Sequence, residues 1–119
     1  MTILLDTSLL IAGYDPGTEP VTISIISVGE LRLGILAATD ARISRARHQR
    51  LKAILRAAVD VLDVTDSVTD QYATIRHQTG RAPSNDLWIA ATAAANRIAL
   101  ITADANQARL PIDVQYVRR

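Results

Sequence analysis

Short apolar runs rich in β-branched residues alternate along this chain with longer stretches of helical pattern, and this alternation restricts the fold more than any other feature. A chain that passes repeatedly from strand to helix to strand builds a parallel sheet, because a parallel neighbour is reached only through a crossover of a dozen or so residues. The runs are TILL (2–5), VTISII (21–26), VDVLDV (59–64), IALIT (98–102) and VQYV (114–117). The third interleaves its apolar residues with Asp60 and Asp63, the pattern of a half-exposed edge strand. Between the runs, a short helix is expected from Thr7 to about Gly13, followed by the turn-forming DPG at 15–17. SVGELRLGILAA (27–38) sets Val28, Leu31, Ile35 and Leu36 on one helical face. A longer helix from Asp40 to about Val59 turns Ile43, Ala46, Leu51, Ile54 and Leu55 toward the body. DSVTDQYATIRHQTG (66–80) opens on acids and stops at Gly80, and PSNDLWIAATAAANR (83–97) follows Pro83 with Ser84 as its expected cap. The 119 residues suffice for one hydrophobic core and not for two, so residues 1–119 are expected to form a single α/β domain with a central parallel sheet flanked by helices.

Aromatic residues add little to that core: there is no Phe, one Trp and three Tyr, so Ile, Leu, Val and Ala fill it. A hydrophobic share of 49% with 21% charged residues excludes intrinsic disorder. The absence of cysteine excludes a disulfide framework and a thiolate metal site. The N-terminal apolar stretch has no basic segment before it and is interrupted by Asp6, which argues against a signal peptide, and no run of ~18 apolar residues offers a membrane span. A soluble, cytoplasmic protein without a membrane partner is the expectation.

The acids carry the chemistry. Asp6 follows the first strand, Asp104 follows the fourth, Asp86 lies in the first turn of a helix, and Glu30 interrupts an apolar helical run. The carboxyl ends of parallel strands share one edge of the sheet, and ligands bind in the crevice outside that edge. Each acid also has a plain alternative: Asp6 and Asp104 can cap the turns that follow them, Asp86 can complement a helix dipole, and Glu30 can be a surface residue. Convergence of all four needs a cation, since two like charges ~5 Å apart repel by about 3 kcal/mol at an effective dielectric of ~20. All-oxygen ligands select hard divalent ions, Mg²⁺ or Mn²⁺. Such ions activate water and stabilise the attacking and leaving oxygens of a phosphodiester, which is nuclease chemistry. With these four acids set aside, eight acids face thirteen basic residues, and the resulting excess of +5 suits a polyanionic partner.

LLDTSLLI at the N-terminus, SVGELRLG after the second strand, NDLWIAATA opening an alanine-rich helix and LITADAN after the fourth strand resemble, in order and spacing, the signature segments of PIN-domain ribonucleases. More narrowly, the chain resembles the VapC toxins of bacterial type II toxin–antitoxin pairs. The resemblance implies a PIN-like three-layer α/β/α fold and an endoribonuclease whose Mg²⁺ or Mn²⁺ is held by Asp6, Glu30, Asp86 and Asp104, with Thr7, Asn85 and Thr102 in support. It further implies an RNA substrate, inhibition by a cognate VapB-type antitoxin, and a homodimer. One departure stands out: Gln107 occupies a position three residues after the fourth acid where the family commonly has an aromatic residue. That puts the fourth carboxylate in doubt, with Asn106 as an aid and Asp113 as a remote substitute.

Six basic residues, Arg42, Arg45, Arg47, Arg50, Lys52 and Arg56, lie between positions 42 and 56 without an intervening acid, a stripe that either tracks an RNA backbone or is simply a solvated helix face. His48 and His77 have no ligand spacing and are expected to face solvent. Trp88 either stacks on a base or, as the commoner case, packs its helix onto the sheet or into a dimer contact. Arg118 and Arg119 read as a polar end. Two other functions compete with the nuclease. A phosphoacceptor receiver domain also gathers acids at strand ends, but it wants a lysine after a late strand, and the only lysine is Lys52, inside a helix. A catalytically inactive module that binds RNA or protein is the remaining alternative.

Overall fold

A computed structural model describes residues 1–118; Arg119, half of the polar end expected from the sequence, lies outside the described residues. The five strands are β1 (Ile3–Leu5), β2 (Val21–Ser24), β3 (Asp60–Leu62), β4 (Ala99–Thr102) and β5 (Val114–Tyr116). They form one sheet in the order β3-β2-β1-β4-β5, and every neighbouring pair is parallel. β1 is therefore central, with Leu4 registered against Thr22 on one side and Leu100 on the other. β3 is an edge strand, as its interleaved acids suggest.

Successive side chains of a strand point to opposite faces, so each strand feeds two cores. Ile3, Leu5, Ile23 and Ile101 pack on one face with Leu9 and Leu10 of α1 (Thr7–Ala12), Val28 of α2 (Ile25–Leu36) and Leu51 of α3 (Ala41–Ala57). Leu4 and Leu100 pack on the other with Val68 and Ile75 of α4 (Asp66–Thr79) and Leu87, Ile89 and Ala90 of α5 (Ser84–Ala95). Helices cover both faces, which makes the three-layer α/β/α architecture.

Three local expectations change. The second strand stops at Ser24 rather than Ile26, because the Ser24 hydroxyl accepts from the Ile26 N–H at 3.0 Å and starts α2 two residues early despite two β-branched residues. Ser84 is the first helical residue of α5 and not its cap; Pro83 occupies the cap position and supplies no side-chain hydrogen bond. On α3 Ala46 is exposed and only Leu51 is buried, since this helix lies over α2 and presents a narrow stripe. Trp88 stacks on Tyr72 with ring centroids 3.8 Å apart and planes 7° from parallel, so besides packing against the core cluster that holds Leu4 and Leu100 it joins α5 to α4. Elsewhere the local chemistry matches: α1 ends at Gly13 in the left-handed conformation (φ 71°), and Asp40 caps α3 through the Ile43 N–H.

Candidate active site

The strand order reverses at β1: the chain moves from β1 to β2 on one side and later places β4 on the other. The crevice outside the carboxyl ends of β1 and β4 is where α/β sheets bind ligands. Asp6 directly follows β1, and its N–H donates to the Ile101 carbonyl of β4 at 2.9 Å, which locks it to the neighbouring strand. Asp104 follows β4 by one residue.

Asp6 is only 4% exposed. Its Oδ2 caps α1 by accepting from the Ser8 N–H at 3.4 Å, and it also accepts from the Ser8 hydroxyl at 2.7 Å and the Thr102 hydroxyl at 3.1 Å. Asp104 caps the 3₁₀ turn at Gln107–Arg109: its Oδ1 accepts from the N–H groups of Asn106 (2.8 Å) and Gln107 (3.4 Å). Glu30, half-buried on α2, accepts from the Thr7 hydroxyl at 2.7 Å through Oε1. Thr7 in turn lies 2.8 Å from the buried Ser27 hydroxyl; with its own proton given to Glu30, Thr7 accepts and Ser27 donates.

The plain capping roles of Asp6 and Asp104 are thus filled, and capping leaves each acid half free. All these bonds to Asp6 fall on Oδ2, those to Asp104 on Oδ1 and that to Glu30 on Oε1. Among the described residues no buried side-chain oxygen lacks a partner, so the other oxygen of Asp6 reaches solvent even though the residue is buried.

Asp86, in the first turn of α5, senses the other three. Its carboxyl is raised from an ordinary 3.8 to about 6, first by burial and then by the charges of Asp104, Asp6 and Glu30. A helix N-terminus by itself favours the ionised form, so burial and repulsion outweigh the dipole here. Yet among the described residues no three His, Cys, Asp or Glu side chains close around a common point at ligand distance. Asp104, Asp6 and Glu30 are near enough to raise the cost of ionising Asp86, although the side chains do not converge on one point. All-oxygen donors with one unclaimed oxygen each fit a hard divalent cation.

The supporting residues divide. Thr102 is fully buried; its hydroxyl contacts Asp6 and also accepts from the Asp104 N–H at 3.0 Å, so it joins two acids. Thr7 orients Glu30. Asn85 is exposed beside Asp86. Asp113 is no substitute for Asp104: its carbonyl accepts from the Leu100 N–H at the amino end of β4 and β5, the opposite edge of the sheet. His48, His77 and Lys52 are all exposed on helices. Sequence reasoning passed over Ser8 and Ser27. Both sit at local spacings that point to their roles, two residues after a capping Asp and one helical turn before Glu30. Gln107, the departure from the family pattern, is buried at 1% exposure in the middle of this network.

Comparison with known proteins places the chain in a family. The family model for the PIN domain matches residues 3–113. Ribonuclease VapC4 of Mycobacterium tuberculosis is 34% identical over 110 residues, 89% of this chain and 78% of the relative. Ribonuclease VapC5 of the same organism is 35% identical over 118 residues, 90% of this chain and 86% of the relative. The crystal structure of VapBC-5, a member of the VapBC family of toxin–antitoxin systems from M. tuberculosis, superposes with a TM-score of 0.82 at 31% identity, over 99% of this chain and 98% of that one. With the acids arrayed at the carboxyl edge of a parallel sheet and these relatives spanning nearly its whole length, the chain belongs to the PIN-domain family and, within it, to the VapC group.

Proposed function

We propose that this protein is a divalent-metal-dependent endoribonuclease, the toxin of a type II toxin–antitoxin pair, with Asp6, Glu30, Asp86 and Asp104 holding Mg²⁺ or Mn²⁺. The observation that carries the reading is the raised Asp86 carboxyl: the charges of Asp104, Asp6 and Glu30 all act on it, so four acids from four parts of the chain share one electrostatic site. When bound, the metal supplies an activated water and charge stabilisation at the scissile phosphate. The chain's own residues do the positioning. Thr102 and Ser8 hold Asp6 by one oxygen, Thr7 holds Glu30, and the N–H groups of the 3₁₀ turn hold Asp104, each leaving the other oxygen for a ligand.

The surroundings suit RNA and a protein partner. A cleft of about 300 Å³ beside Glu30 is bordered by Arg47 and Arg50 of α3, which brings the basic stripe to the edge of the acidic site. This supports a phosphate-tracking role for α3. Trp88 has one face covered by Tyr72 and serves packing rather than base stacking. Ile11 of α1, which lines that cleft, and Leu33 and Leu36 of α2 are exposed apolar residues and offer an antitoxin an apolar footing. No helix among the described residues is long and apolar enough to cross a membrane. Domain organisation as one unit and action in the cytoplasm as a homodimer complete the reading.

The test is an RNA cleavage screen of the chain purified free of partners, with Mn²⁺ or with chelator, alongside Asp6→Asn. Cleavage that needs the metal and disappears in Asp6→Asn while the fold persists supports the assignment; full activity in the variant sinks it. Mn²⁺ binding without turnover on any RNA returns the chain to the inactive binding module.

A further inference from the structure

Gln107 is a buried residue whose carboxamide contacts the main chain of Asp86 directly and Asp6 through Thr102, while its backbone N–H contacts Asp104. Its Oε1 lies 2.9 Å from the Thr102 hydroxyl, its Nε2 donates to the main-chain carbonyl of Asp86 at 3.2 Å, and its own N–H donates to Asp104 Oδ1 at 3.4 Å. The orientation of the amide is determined by these partners. The Asp86 carbonyl accepts only, so the NH₂ group faces it and the oxygen faces Thr102. The Thr102 hydroxyl has a single proton and two acceptors competing for it, Asp6 Oδ2 and Gln107 Oε1, while the Asp104 N–H occupies its oxygen. One side chain therefore ties the loop after β4 to the first turn of α5 and shares a proton with the group that holds Asp6.

We propose that Gln107 is a positioning residue, which sets the separation of Asp86 from Asp6 and Asp104 and so tunes the affinity of the acidic site for its divalent cation. The proposal rests on the metallonuclease reading above. A buried polar side chain in this place has little packing advantage over an apolar one of equal size, because its hydrogen bonds to protein replace equally good ones to water. The bonds it makes are directed instead at the groups that present the acids. Groups that orient metal ligands from behind contribute about 10–100-fold to metal affinity.

The experiment is a calorimetric titration of Mn²⁺ into the metal-free protein and into Gln107→Met, which matches the volume and removes the carboxamide, with Gln78→Met on the exposed face of α4 as a control. Thermal melts in chelator report the fold. The expected result is a Kd for Mn²⁺ raised about 10–100-fold in Gln107→Met, with cooperative melting retained and the control unchanged. A Kd within about twofold of wild type, whatever the melting temperature, makes Gln107 a filler and overturns the proposal. Should Gln107→Met fail to fold, Gln107→Asn carries the same comparison: it keeps an amide in place but is one methylene too short to span Thr102 and Asp86. A wild type that binds no Mn²⁺ overturns the metal site itself, and the role of Gln107 with it, before any variant is compared.

Discussion

Replacing Asp86 by Asn should make the metal-free protein more stable, the reverse of what loss of a buried hydrogen-bonded group does. The carboxyl is raised from 3.8 to about 6 by burial and by Asp104, Asp6 and Glu30, so near neutral pH the folded protein carries an ionised group it disfavours. Moving a carboxyl that far corresponds to about 3 kcal/mol with no screening. Asp86 is only half-buried, and solvent reduces the figure to ~1.5 kcal/mol. Loss of a carboxylate from the first turn of α5 removes ~0.5 kcal/mol of dipole stabilisation. The net gain is about 1 kcal/mol, and with an unfolding entropy of ~2.1 cal/mol/K per residue it raises the melting temperature of this chain by about 4 °C. The folded carboxyl binds its proton more tightly than the unfolded one, so wild-type stability rises relative to the variant as pH falls from about 6 toward 3.8. The assay is thermal unfolding of both proteins in chelator at about pH 8 and about pH 4, where the advantage of Asn should be present and then absent. Excess Mn²⁺ should invert the order, because only wild type gains the ~2.7 kcal/mol of ligand stabilisation expected at a hundredfold excess over Kd. No gain at the higher pH, or an equal gain at both, refutes the argument that the acids repel across one site.

Two further outcomes follow from the scaffold of Asp86. Arg76 donates to the Gly80 and Ala82 carbonyls at 2.7 Å and to the Ser84 hydroxyl at 3.1 Å, so Arg76→Ala should cost about 1–2 kcal/mol in denaturant unfolding and open residues 80–84 to protease; unchanged cleavage there removes the role of Arg76 as the clamp on the start of α5. Leu87 is fully buried against the β1 side of the sheet with Leu4 and Leu100, and Leu87→Ala should destabilise by about 2–5 kcal/mol in the same assay, a loss under ~1 kcal/mol being inconsistent with that packing.

The order of strands and helices, the parallel sheet and the position of Asp6 and Asp104 at strand ends are written in local patterns: period-two and helical apolar spacing, caps within three residues, and glycines at φ near 70° in Gly13 and Gly80. These signals act over a turn or two of chain, so they survive without knowledge of the fold. They mislead where two local signals conflict, as at Ile25 and Ile26, whose β-branched side chains suggest strand while the Ser24 cap makes helix. What the tertiary structure alone decided depends on groups far apart in sequence meeting at a particular sheet order. Thr102 reaches Asp6 across 96 positions because β4 lies beside β1, and Gln107 reaches Asp86 across 21 because α5 and the loop after β4 open at the same edge. Asp113 has the right charge and is only nine residues from Asp104, yet the chain has by then returned to the opposite edge of the sheet. The placing of acids at strand ends was therefore legible from residue type and strand pattern, whereas the raised carboxyl of Asp86 and the hydrogen bonds that hold Asp6, Glu30 and Asp104 exist only once burial and strand order bring those groups together.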